Sequence, residues 1–381
     1  MAFAISPDAG SESGAGWAVL KAHLFLGHEI VLLTTSSSAE ELKSHDVINE
    51  FKVNCVGIPE NSILFKNADR LPFGFQLRHL TWNLKIIRLV KKMINEKPEM
   101  VIHYATFAGD WNLNVLHFLH KSVYRIWGPV GGAQQIPIKM IPFLGVSGFA
   151  EDVFKRIIGR IFRSVTRIRM GGSRAVVLCA NSATKEFFEK SVNVQISQNV
   201  VLEDIRQLNS QRDSELVFGC GRLIPLKNWK LPILAMRYVE NKKLLIAGSG
   251  PDQARLQKMI KKHSLEHKVK LIGNIPRNDC LEYISRCDAF VFPSLRDSAS
   301  WALAEAVALN CRIVALDLPG SAAITRDSGI KLISVRGQDV IKRFAEELAH
   351  GRNTNNGLKK FPQSELAQGI SESLTRFGRI I

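Results

Sequence analysis

The stretch Ala289-Phe-Val-Phe-Pro-Ser-Leu-Arg-Asp297-Ser-Ala-Ser-Trp301-Ala-Leu-Ala-Glu305-Ala decides how this chain is expected to fold. Its apolar start predicts a buried strand and its alanine-rich end predicts a helix, with a turn of small residues between them. In α/β proteins such a turn presents a helix N-terminus to phosphate. Asp297 and Glu305 flank the turn, and their carboxylates suit a ligand that carries hydroxyls beside its phosphates, as a nucleotide-sugar does.

The chain has the size and composition of a globular protein with two domains. It has 381 residues, of which 46% are apolar and 23% charged, and this length suits two domains of ordinary size. No run approaches the roughly 18 apolar residues of a membrane span. No basic segment followed by an apolar one marks a secretory signal, so we expect a cytoplasmic protein.

The cysteines and the net charge limit the classes of ligand. The cysteines are scattered, without a C-x-x-C pair or a histidine spaced for zinc, so we predict mostly buried free thiols in a reducing compartment and no metal site. They are Cys55, Cys179, Cys220, Cys280, Cys287 and Cys311. The net charge of +16 is compatible with phosphorylated substrates, anionic lipid or nucleic acid as partners.

Short β-like runs alternate with helical patterns in the first half of the chain, which predicts a doubly wound parallel sheet. Strands are predicted at Met1–Ile5, Ile30–Thr35, Met100–His103, Val123–Trp127 and Ala175–Cys179, and a helix at Trp82–Ile94. We assign residues 1–202 to this first α/β domain.

The same alternation resumes near Ser214 and predicts a second α/β domain over residues 203–361. Its predicted strands are 216–220, 243–247, 269–273, 289–292 and 312–316, and its predicted helices include 230–239, 252–263 and 280–286. The polar stretch Val201–Arg212 is the predicted join, and Gly351–Gly357 is a predicted loop. Ser364–Phe377 predicts a closing helix, and residues 362–381 are expected to pack back on the first domain.

Five motifs in the second domain resemble those of a family. In order they are Gly221-Arg222-Leu-Ile-Pro-Leu-Lys227-Asn228, Gly248-Ser-Gly250-Pro251, Leu271-Ile-Gly273-Asn274-Ile275, Phe292-Pro-Ser294, and the acidic pair Asp297 and Glu305. Together they resemble the nucleotide-binding domain of retaining glycosyltransferases with the GT-B fold, of the family 4 type (glycosyl transferases group 1). Each motif alone is weak, and the specificity of the resemblance comes from their order.

The resemblance implies two doubly wound Rossmann-like domains that face each other across a cleft. It also implies transfer of a hexose from a UDP- or GDP-sugar to a hydroxyl of a glycan or lipid-linked acceptor, with the anomeric configuration retained. The work of such an enzyme is the synthesis of cell-surface polysaccharide or glycolipid. The nucleotide-sugar is a substrate, so neither a cofactor nor a metal is expected.

The cationic pair Arg222 and Lys227 is expected to follow a strand end. A guanidinium fork and a compact ammonium both suit phosphate oxygens, so the pair could stabilise the charge that develops on a departing nucleoside diphosphate. The alternative is two solvated surface cations.

The acidic pair receives its roles from the resemblance. Glu305, expected near the start of a helix, would accept hydrogen bonds from the ribose hydroxyls, and the alternative is a carboxylate that only stabilises the helix dipole. Asp297, where the family usually has Glu, would contact a donor-sugar hydroxyl directly or through water. The backbone at Ser298 and Ser300 would cradle phosphate, although the turn lacks the usual glycines. The resemblance places Gly248, Gly250, Asn274 and Ile275 in loops that border the donor.

Two further candidate sites lie in the first domain. Gly14 and Gly16, expected between a strand and a helix, resemble a glycine-rich loop that approaches the phosphate or sugar, or they form a simple tight turn. His103, at a predicted strand end, is expected to face the cleft and contact the sugar, or to be structural.

Two segments keep open interpretations. Ile136–Leu144 is an acceptor wall, a membrane-facing loop or a packed connection. Val153–Arg169 repeats apolar residues at helical spacing beside Lys and Arg, which fits either an interfacial helix on an anionic membrane or a domain helix with a solvated basic face. Nucleic-acid binding is not expected, because no recognition module and little aromatic interleaving accompany the charge.

Two alternatives to a glycosyltransferase remain. A nucleotide-sugar epimerase of the same fold would act without an acceptor. A non-catalytic partner protein would tolerate the shortened Asp297 and the altered turn.

Overall fold

The computed structural model describes the whole chain except residues 9, 61–73, 111, 199, 203–210, 327, 338, 351–359 and 379–381. The chain divides into two compact units. The first unit comprises residues 1–133, 156–201 and 362–381, and the second comprises residues 134–155 and 202–361. Residues 134–155, which the sequence pattern predicts for the first domain, belong to the second unit. The predicted loop Gly351–Gly357 and most of the predicted join Val201–Arg212 lie outside the described residues.

The first unit contains two parallel sheets. One pairs β1 with β2, and the other has the order β3-β4-β5-β6. The strands are β1 (Val31–Thr35), β2 (Asn54–Ile58), β3 (Val101–Tyr104), β4 (Tyr124–Val130), β5 (Ala175–Cys179) and β6 (Asn193–Ile196). The strand β5 is buried along its whole length, as its unbroken apolar sequence predicts for a parallel sheet covered on both faces.

Residues 1–5 do not form a strand, so the prediction of a strand at Met1–Ile5 is wrong. The segment nevertheless makes backbone hydrogen bonds to both sheets. The Ala2 N–H donates to the Leu33 carbonyl at 3.0 Å, and the Ala105 N–H donates to the Met1 carbonyl at 2.9 Å. The apolar residues that suggested a strand are therefore buried, but the backbone pairs only at isolated positions.

Helices cover the sheets of the first unit. They are α1 (Ser11–Phe25), α2 (Ser36–Leu42), α3 (Asp46–Glu50), α4 (Gly74–Glu96), the second part of α5 (Ile141–Met170), α6 (Ser182–Phe188) and α13 (Gln363–Thr375), with a short 3-10 helix at Val115–Phe118. The closing helix α13 packs on α1: Ile370 and Leu374 share an apolar cluster with Ala18 and Ala22, and the Gln363 amide donates to the Ala18 carbonyl at 2.8 Å.

The second unit is built on one five-stranded parallel sheet of order β11-β10-β7-β8-β9. Its strands are β7 (Asp213–Cys220), β8 (Lys243–Ala247), β9 (Val269–Gly273), β10 (Cys287–Phe292) and β11 (Arg312–Ala315). The strands β7 and β10 lie side by side in this order, with β8 beside β7. Parallel strands end at the same edge, so the loops after β7, β8 and β10 are neighbours.

The helices of the second unit are α7 (Lys230–Ala235), α8 (Gln253–Lys262), α9 (Arg277–Arg286), α10 (Trp301–Ala308), α11 (Pro319–Thr325) and α12 (Val340–His350), with short 3-10 helices at Ile138–Met140, Pro225–Lys227 and Met236–Tyr238. The predicted helix 230–239 is thus shorter as an α-helix, because it tightens into a 3-10 turn after Ala235. The first part of α5 also belongs to this unit.

The segment Ile136–Leu144 packs within the second unit. Ile136, Met140 and Leu144 are buried in the same apolar cluster as Val217 and Leu231. Of the open interpretations, the structure shows the packed connection. Ile138 is the exception, since 84% of it is exposed.

Leu144→Ala is expected to destabilise the second unit by about 2–5 kcal/mol, because it removes fully buried methyl groups from a core that cannot close the cavity. Ile138→Ala is the matched control, because an exposed side chain is expected to change the free energy of unfolding by about 0.5 kcal/mol or less. Urea unfolding followed by tryptophan fluorescence measures both. Equal effects of the two substitutions would contradict the packing described here.

Candidate functional site

The turn between β10 and α10 is set by a serine cap. The Ser300 hydroxyl oxygen accepts the Leu303 N–H at 3.4 Å, so α10 begins at Trp301. Glu305 is the fifth residue of this eight-residue helix. The expectation that it lies near the helix start was therefore wrong. It is buried in the second turn, where a role at the helix dipole is weak.

The buried Glu305 forms an ion pair that the sequence did not reveal. The Arg277 Nε lies 2.8 Å from Glu305 Oε1, and only 7% of the Glu305 side chain is exposed. Burial raises the pKa of the Glu305 carboxyl, and the Arg277 guanidinium opposes that rise. Arg277 is the first residue of α9 and follows Asn274 and Ile275 closely, which is the signal that could have identified it.

Lys227 and Asp297 contact each other. Their side chains form a hydrogen-bonded ion pair in which 20% of the lysine and 17% of the aspartate side chain is exposed. Lys227 ends the 3-10 turn after β7, and Asp297 follows the neighbouring strand β10. The sheet order thus brings together two residues that the sequence predicted for one site.

Arg222 is exposed and differs from Lys227 in its surroundings. Its carbonyl accepts the Trp229 indole N–H at 3.1 Å, which anchors the backbone of the loop after β7. Its guanidinium makes no hydrogen bond or ion pair to any residue that the structure describes. The backbone of Arg222 is therefore fixed, while its guanidinium is available for a ligand.

The loops after β7 and β8 approach so closely that glycine is required. A Cβ on Gly248 would lie 2.0 Å from the Gly221 carbonyl oxygen, and one on Gly250 would lie 2.4 Å from the Leu223 carbonyl oxygen. Both glycines have positive φ, 138° and 158°, which L side chains rarely adopt. The two glycines therefore have a packing role whatever they contact in a ligand.

The loop after β9 joins this group of loops. The Gly248 N–H donates to the Gly273 carbonyl at 2.7 Å. Asn274 is exposed and Ile275 half-buried directly after it. The predicted residues at 222, 248, 250 and 274–275 thus lie on neighbouring loops at the carboxyl edge of one sheet, where ligands of open α/β sheets bind.

The turn 298–301 does not depend on glycine. None of its four residues, all of which are described, has positive φ, so serine and alanine fit without strain. Ser298 is half-buried and Ser300 buried. The Trp301 indole nitrogen is buried without a hydrogen-bond partner among the described residues. Gly320 packs against this region so closely that its Cβ would lie 2.2 Å from the Asp297 carbonyl oxygen.

Residues 134–155 hold the loop that carries Asp297. Asp152 and Arg296 form an ion pair in which 2% and 12% of the side chains are exposed, and the Gln134 amide donates to the Asp297 carbonyl. No local sequence pattern indicates these contacts, since they join positions 144 and 163 residues apart.

Gly14 and Gly16 lie inside α1, not between a strand and a helix as predicted. A Cβ on Gly16 would lie 2.8 Å from both the Ala4 carbonyl oxygen and the Thr106 methyl group. Gly16 therefore permits α1 to pack against the segment that precedes it and the loop after β3. Both glycines are buried.

His103 is buried inside the first unit in a chain of three histidines. His103 Nε2 lies 2.8 Å from the Gly128 carbonyl, His103 Nδ1 lies 2.8 Å from His23 Nε2, and His23 Nδ1 lies 2.9 Å from His28 Nδ1. Neutral rings satisfy this chain when His28 donates to His23, His23 to His103, and His103 to the carbonyl. These bonds account for His103 structurally, and no catalytic role is proposed for it.

Burial lowers the pKa of His103 from 6.5 to about 3 and that of His23 well below its usual value.

The described residues contain no group of three or more His, Cys, Asp or Glu side chains that could hold a metal ion. The six cysteines are free thiols, three of them buried and three half-buried.

The histidine chain is expected to make the protein less stable in acid. His103 stays neutral in the folded state down to about pH 3, whereas in the unfolded state it binds a proton near pH 6.5. Its stabilising contribution is therefore complete above about pH 6.5 and is lost as the pH falls towards 3, with about 2 kcal/mol lost by about pH 5. Urea unfolding at a series of pH values measures this slope. His103→Gln, which keeps a donor for the Gly128 carbonyl, should flatten it; an unchanged slope would contradict the assignment.

The known proteins that this chain is similar to include glycosyltransferases. Residues 201–361 match the family model described as "Glycosyl transferases group 1". An uncharacterized glycosyltransferase of Methanocaldococcus jannaschii is 23% identical over 282 residues, which is 68% of this chain and 64% of that protein. A second relative, from Campylobacter jejuni, is N-acetylgalactosamine-N,N'-diacetylbacillosaminyl-diphospho-undecaprenol 4-alpha-N-acetylgalactosaminyltransferase. It is 32% identical over 133 residues, or 35% of this chain and 34% of its own length.

The chain thus spans less than two thirds of the length of either relative. Among solved structures, Anabaena HepE in complex with UDP and glucose matches with a TM-score of 0.64 and 13% identity, covering 97% of both chains. At that identity the likeness concerns the fold. The chain therefore has the α/β fold with parallel sheets of GT-B glycosyltransferases, and its second unit matches glycosyl transferases group 1 over the segment that carries Arg222, Lys227, Asp297 and Glu305.

Proposed function

We propose that this protein is a retaining, metal-independent glycosyltransferase that moves a hexose from a UDP- or GDP-sugar to a hydroxyl of a glycan or lipid-linked acceptor. The observation that supports it most is the contact between Lys227 and Asp297, beside the exposed Arg222, within the segment that matches glycosyl transferases group 1. The synthesis of cell-surface polysaccharide or glycolipid is the role we assign to it.

Glu305 is proposed to bind the ribose of the donor. Arg277 holds one carboxylate oxygen and opposes the rise in pKa that burial causes, and this bond fixes the orientation in which the side chain can accept hydrogen bonds. A buried carboxylate in a fixed orientation suits two neighbouring hydroxyls better than a solvated one, because little ordering remains when the ligand binds.

Lys227 and Arg222 are proposed to stabilise the departing diphosphate. The Arg222 guanidinium has no partner among described residues and can turn its planar fork to phosphate oxygens. Lys227 is held by Asp297 until the donor enters, and phosphate oxygens then share the ammonium. The contact between Lys227 and Asp297 then weakens, so the Asp297 carboxylate can accept a hydrogen bond from a sugar hydroxyl.

The turn after Asp297 is proposed to contribute donors to the phosphates. The Ser300 oxygen already accepts the Leu303 N–H, so its hydroxyl proton remains free to point elsewhere. Backbone N–H groups at the start of α10 add the positive end of a helix. Ser298 and Ser300 therefore supply small polar groups where a bulky side chain would exclude the ligand.

The proposed reaction keeps the sugar configuration. The bond between the anomeric carbon and the diphosphate oxygen breaks, and the acceptor oxygen bonds to that carbon on the same face. The acceptor proton passes to the departing diphosphate, so no general base from the protein is needed. The role of Arg222 and Lys227 is electrostatic, and such groups act most strongly where water is excluded.

A lipid-linked acceptor is proposed because the Campylobacter jejuni relative, matched over 133 residues, is named for an undecaprenol diphosphate substrate. That match lies at 32% identity over about a third of the chain, so it supports a class of acceptor rather than a compound.

Arg222→Ala and Lys227→Ala are each expected to lower kcat by about 10²–10³-fold, because each removes charge stabilisation that increases as the leaving group departs. Lys258→Ala, which changes an exposed lysine on α8, is the matched control and should leave kcat unchanged. A screen of UDP- and GDP-sugars with mass-spectrometric product analysis identifies the donor first. A protein that forms no glycosylated product with any donor, and that no nucleotide-sugar stabilises against heat, would contradict the proposed activity.

Glu305→Gln is expected to weaken nucleoside diphosphate binding by about tenfold, since hydrogen bonds to a charged group contribute about 1.5–3 kcal/mol. The loss should disappear with a 2',3'-dideoxynucleoside diphosphate, which lacks the hydroxyls. Glu282→Gln, an exposed carboxylate on the neighbouring helix α9, is the control. Isothermal titration calorimetry measures the wild type and both variants with each nucleotide; an equal loss with and without the hydroxyls would exclude ribose binding.

A further inference from the structure

The last part of α5, from Arg156 to Met170, carries an exposed apolar stripe. Ile157, Ile161 and Ile168 are 54%, 57% and 64% exposed. They are spaced four and seven residues apart, so their side chains lie above one another on one face of the helix. We call this face the isoleucine stripe.

The helix packs on the first unit through its opposite face. Gly159, Thr166 and Met170 are buried there, and the Thr166 hydroxyl is 3.0 Å from His117 Nε2. An ordinary domain helix buries its apolar face and exposes its polar one. This helix leaves Ile157, Ile161 and Ile168 in solvent, so the interpretation as a domain helix with only a basic face in solvent does not fit the structure.

Arginines border the isoleucine stripe. Arg160 and Arg167 are exposed and lie on one flank of it by helical spacing. Other arginines of the helix are engaged within the unit: Arg163 stacks over the Phe187 ring at 3.9 Å, and Arg169 Nε donates to the His117 carbonyl at 2.5 Å. No acidic residue occurs between Val153 and Lys185, so nothing on the segment neutralises the flank.

We propose that the isoleucine stripe and its arginine flank bind the surface of an anionic lipid bilayer. The isoleucines would enter the boundary between headgroups and acyl chains, and Arg160 and Arg167 would contact lipid phosphates. Among the residues that the structure describes, no helix is long and apolar enough to cross a membrane. The contact is therefore one of a helix that lies in the plane of the surface.

The charge pattern favours this occupant over the alternatives. A second copy of the chain would bring Arg160 and Arg167 against identical arginines without an acidic partner on the segment, which repels. A nucleic acid would use the arginines but would leave three isoleucines exposed to water or phosphate. A lipid surface with negative headgroups can contact both the isoleucine stripe and its arginine flank.

The inference goes beyond the proposed transferase activity and does not rest on it. The isoleucine stripe belongs to the first unit, whereas the residues proposed to bind the donor belong to the second. Vesicle binding needs neither donor nor acceptor, so a failure of one proposal is visible without the other.

The test is flotation of the full-length protein with phosphatidylcholine vesicles, prepared with and without phosphatidylglycerol. We expect binding only to the anionic vesicles. Ile161→Ser with Ile168→Ser should lower the partition coefficient about tenfold or more, because it removes the inserted apolar groups. Arg160→Glu with Arg167→Glu should lower it at least as much, and added salt should weaken wild-type binding.

Lys258→Glu with Lys261→Glu is the matched control, because it changes the net charge equally at exposed lysines of α8 and should bind like the wild type. Circular dichroism and the thermal midpoint verify that each variant is folded. Absence of wild-type binding, equal binding to neutral vesicles, or equal losses in the control would overturn the proposal. Light scattering tests for a dimer that the isoleucine substitutions dissociate. Such a dimer, together with an absence of vesicle binding, would overturn the proposal in favour of a second copy.

Discussion

The close approach of the loops after β7 and β8 is the constraint on which the candidate site depends. The Gly221 N–H donates to the Ala247 carbonyl at 2.9 Å and the Leu223 N–H to the Ser249 carbonyl at 2.8 Å, so the two loops pair almost as strands do. Only glycine at 248 and 250 lets them do so. This pairing fixes the backbone on either side of Arg222, and a fixed backbone lets a flexible, exposed guanidinium act at a defined place.

A second set of contacts fixes the other side of the site. The loop that carries Asp297 is bonded to Gln134 and Asp152, and the Leu295 N–H donates to the Leu226 carbonyl at 2.8 Å. The segment 134–155 therefore acts as part of the second unit's architecture. Asp297 meets Lys227 because both backbones are held, and the ion pair is a consequence of this support rather than its cause.

Much of the fold and part of the candidate site could be predicted from the sequence. Contacts between residues that are far apart in the chain could not. The strands from 216 onward, the closing helix and the pairing of positions 227 and 297 in one site follow from local patterns and ordered motifs. The nearness of Arg277 to Asn274 and Ile275 could have placed it at the site, but its pairing with Glu305, 28 residues away, carries no periodic signal. Gly16 and His103 have residue types that suggest ligands, yet their packing partners, Ala4 and Gly128, can be recognised only once the chain is folded.

The apolar residues of α5 show a related limit. Periodicity identifies which residues share a helical face, but not which face the protein covers, and that choice depends on whether Thr166 or Ile161 meets the neighbouring elements.

The charges of the site argue against an acid/base pair. Each carboxylate has its own cation: Asp297 pairs with Lys227 and Glu305 with Arg277. A proton-sharing dyad, in contrast, needs two carboxylates close together without cations. Arg222 is then the surplus positive charge of the set, and a diphosphate is the ligand that such a surplus attracts. The carboxylates are left to accept hydrogen bonds from hydroxyls, which a nucleotide-sugar offers on its ribose and on its sugar.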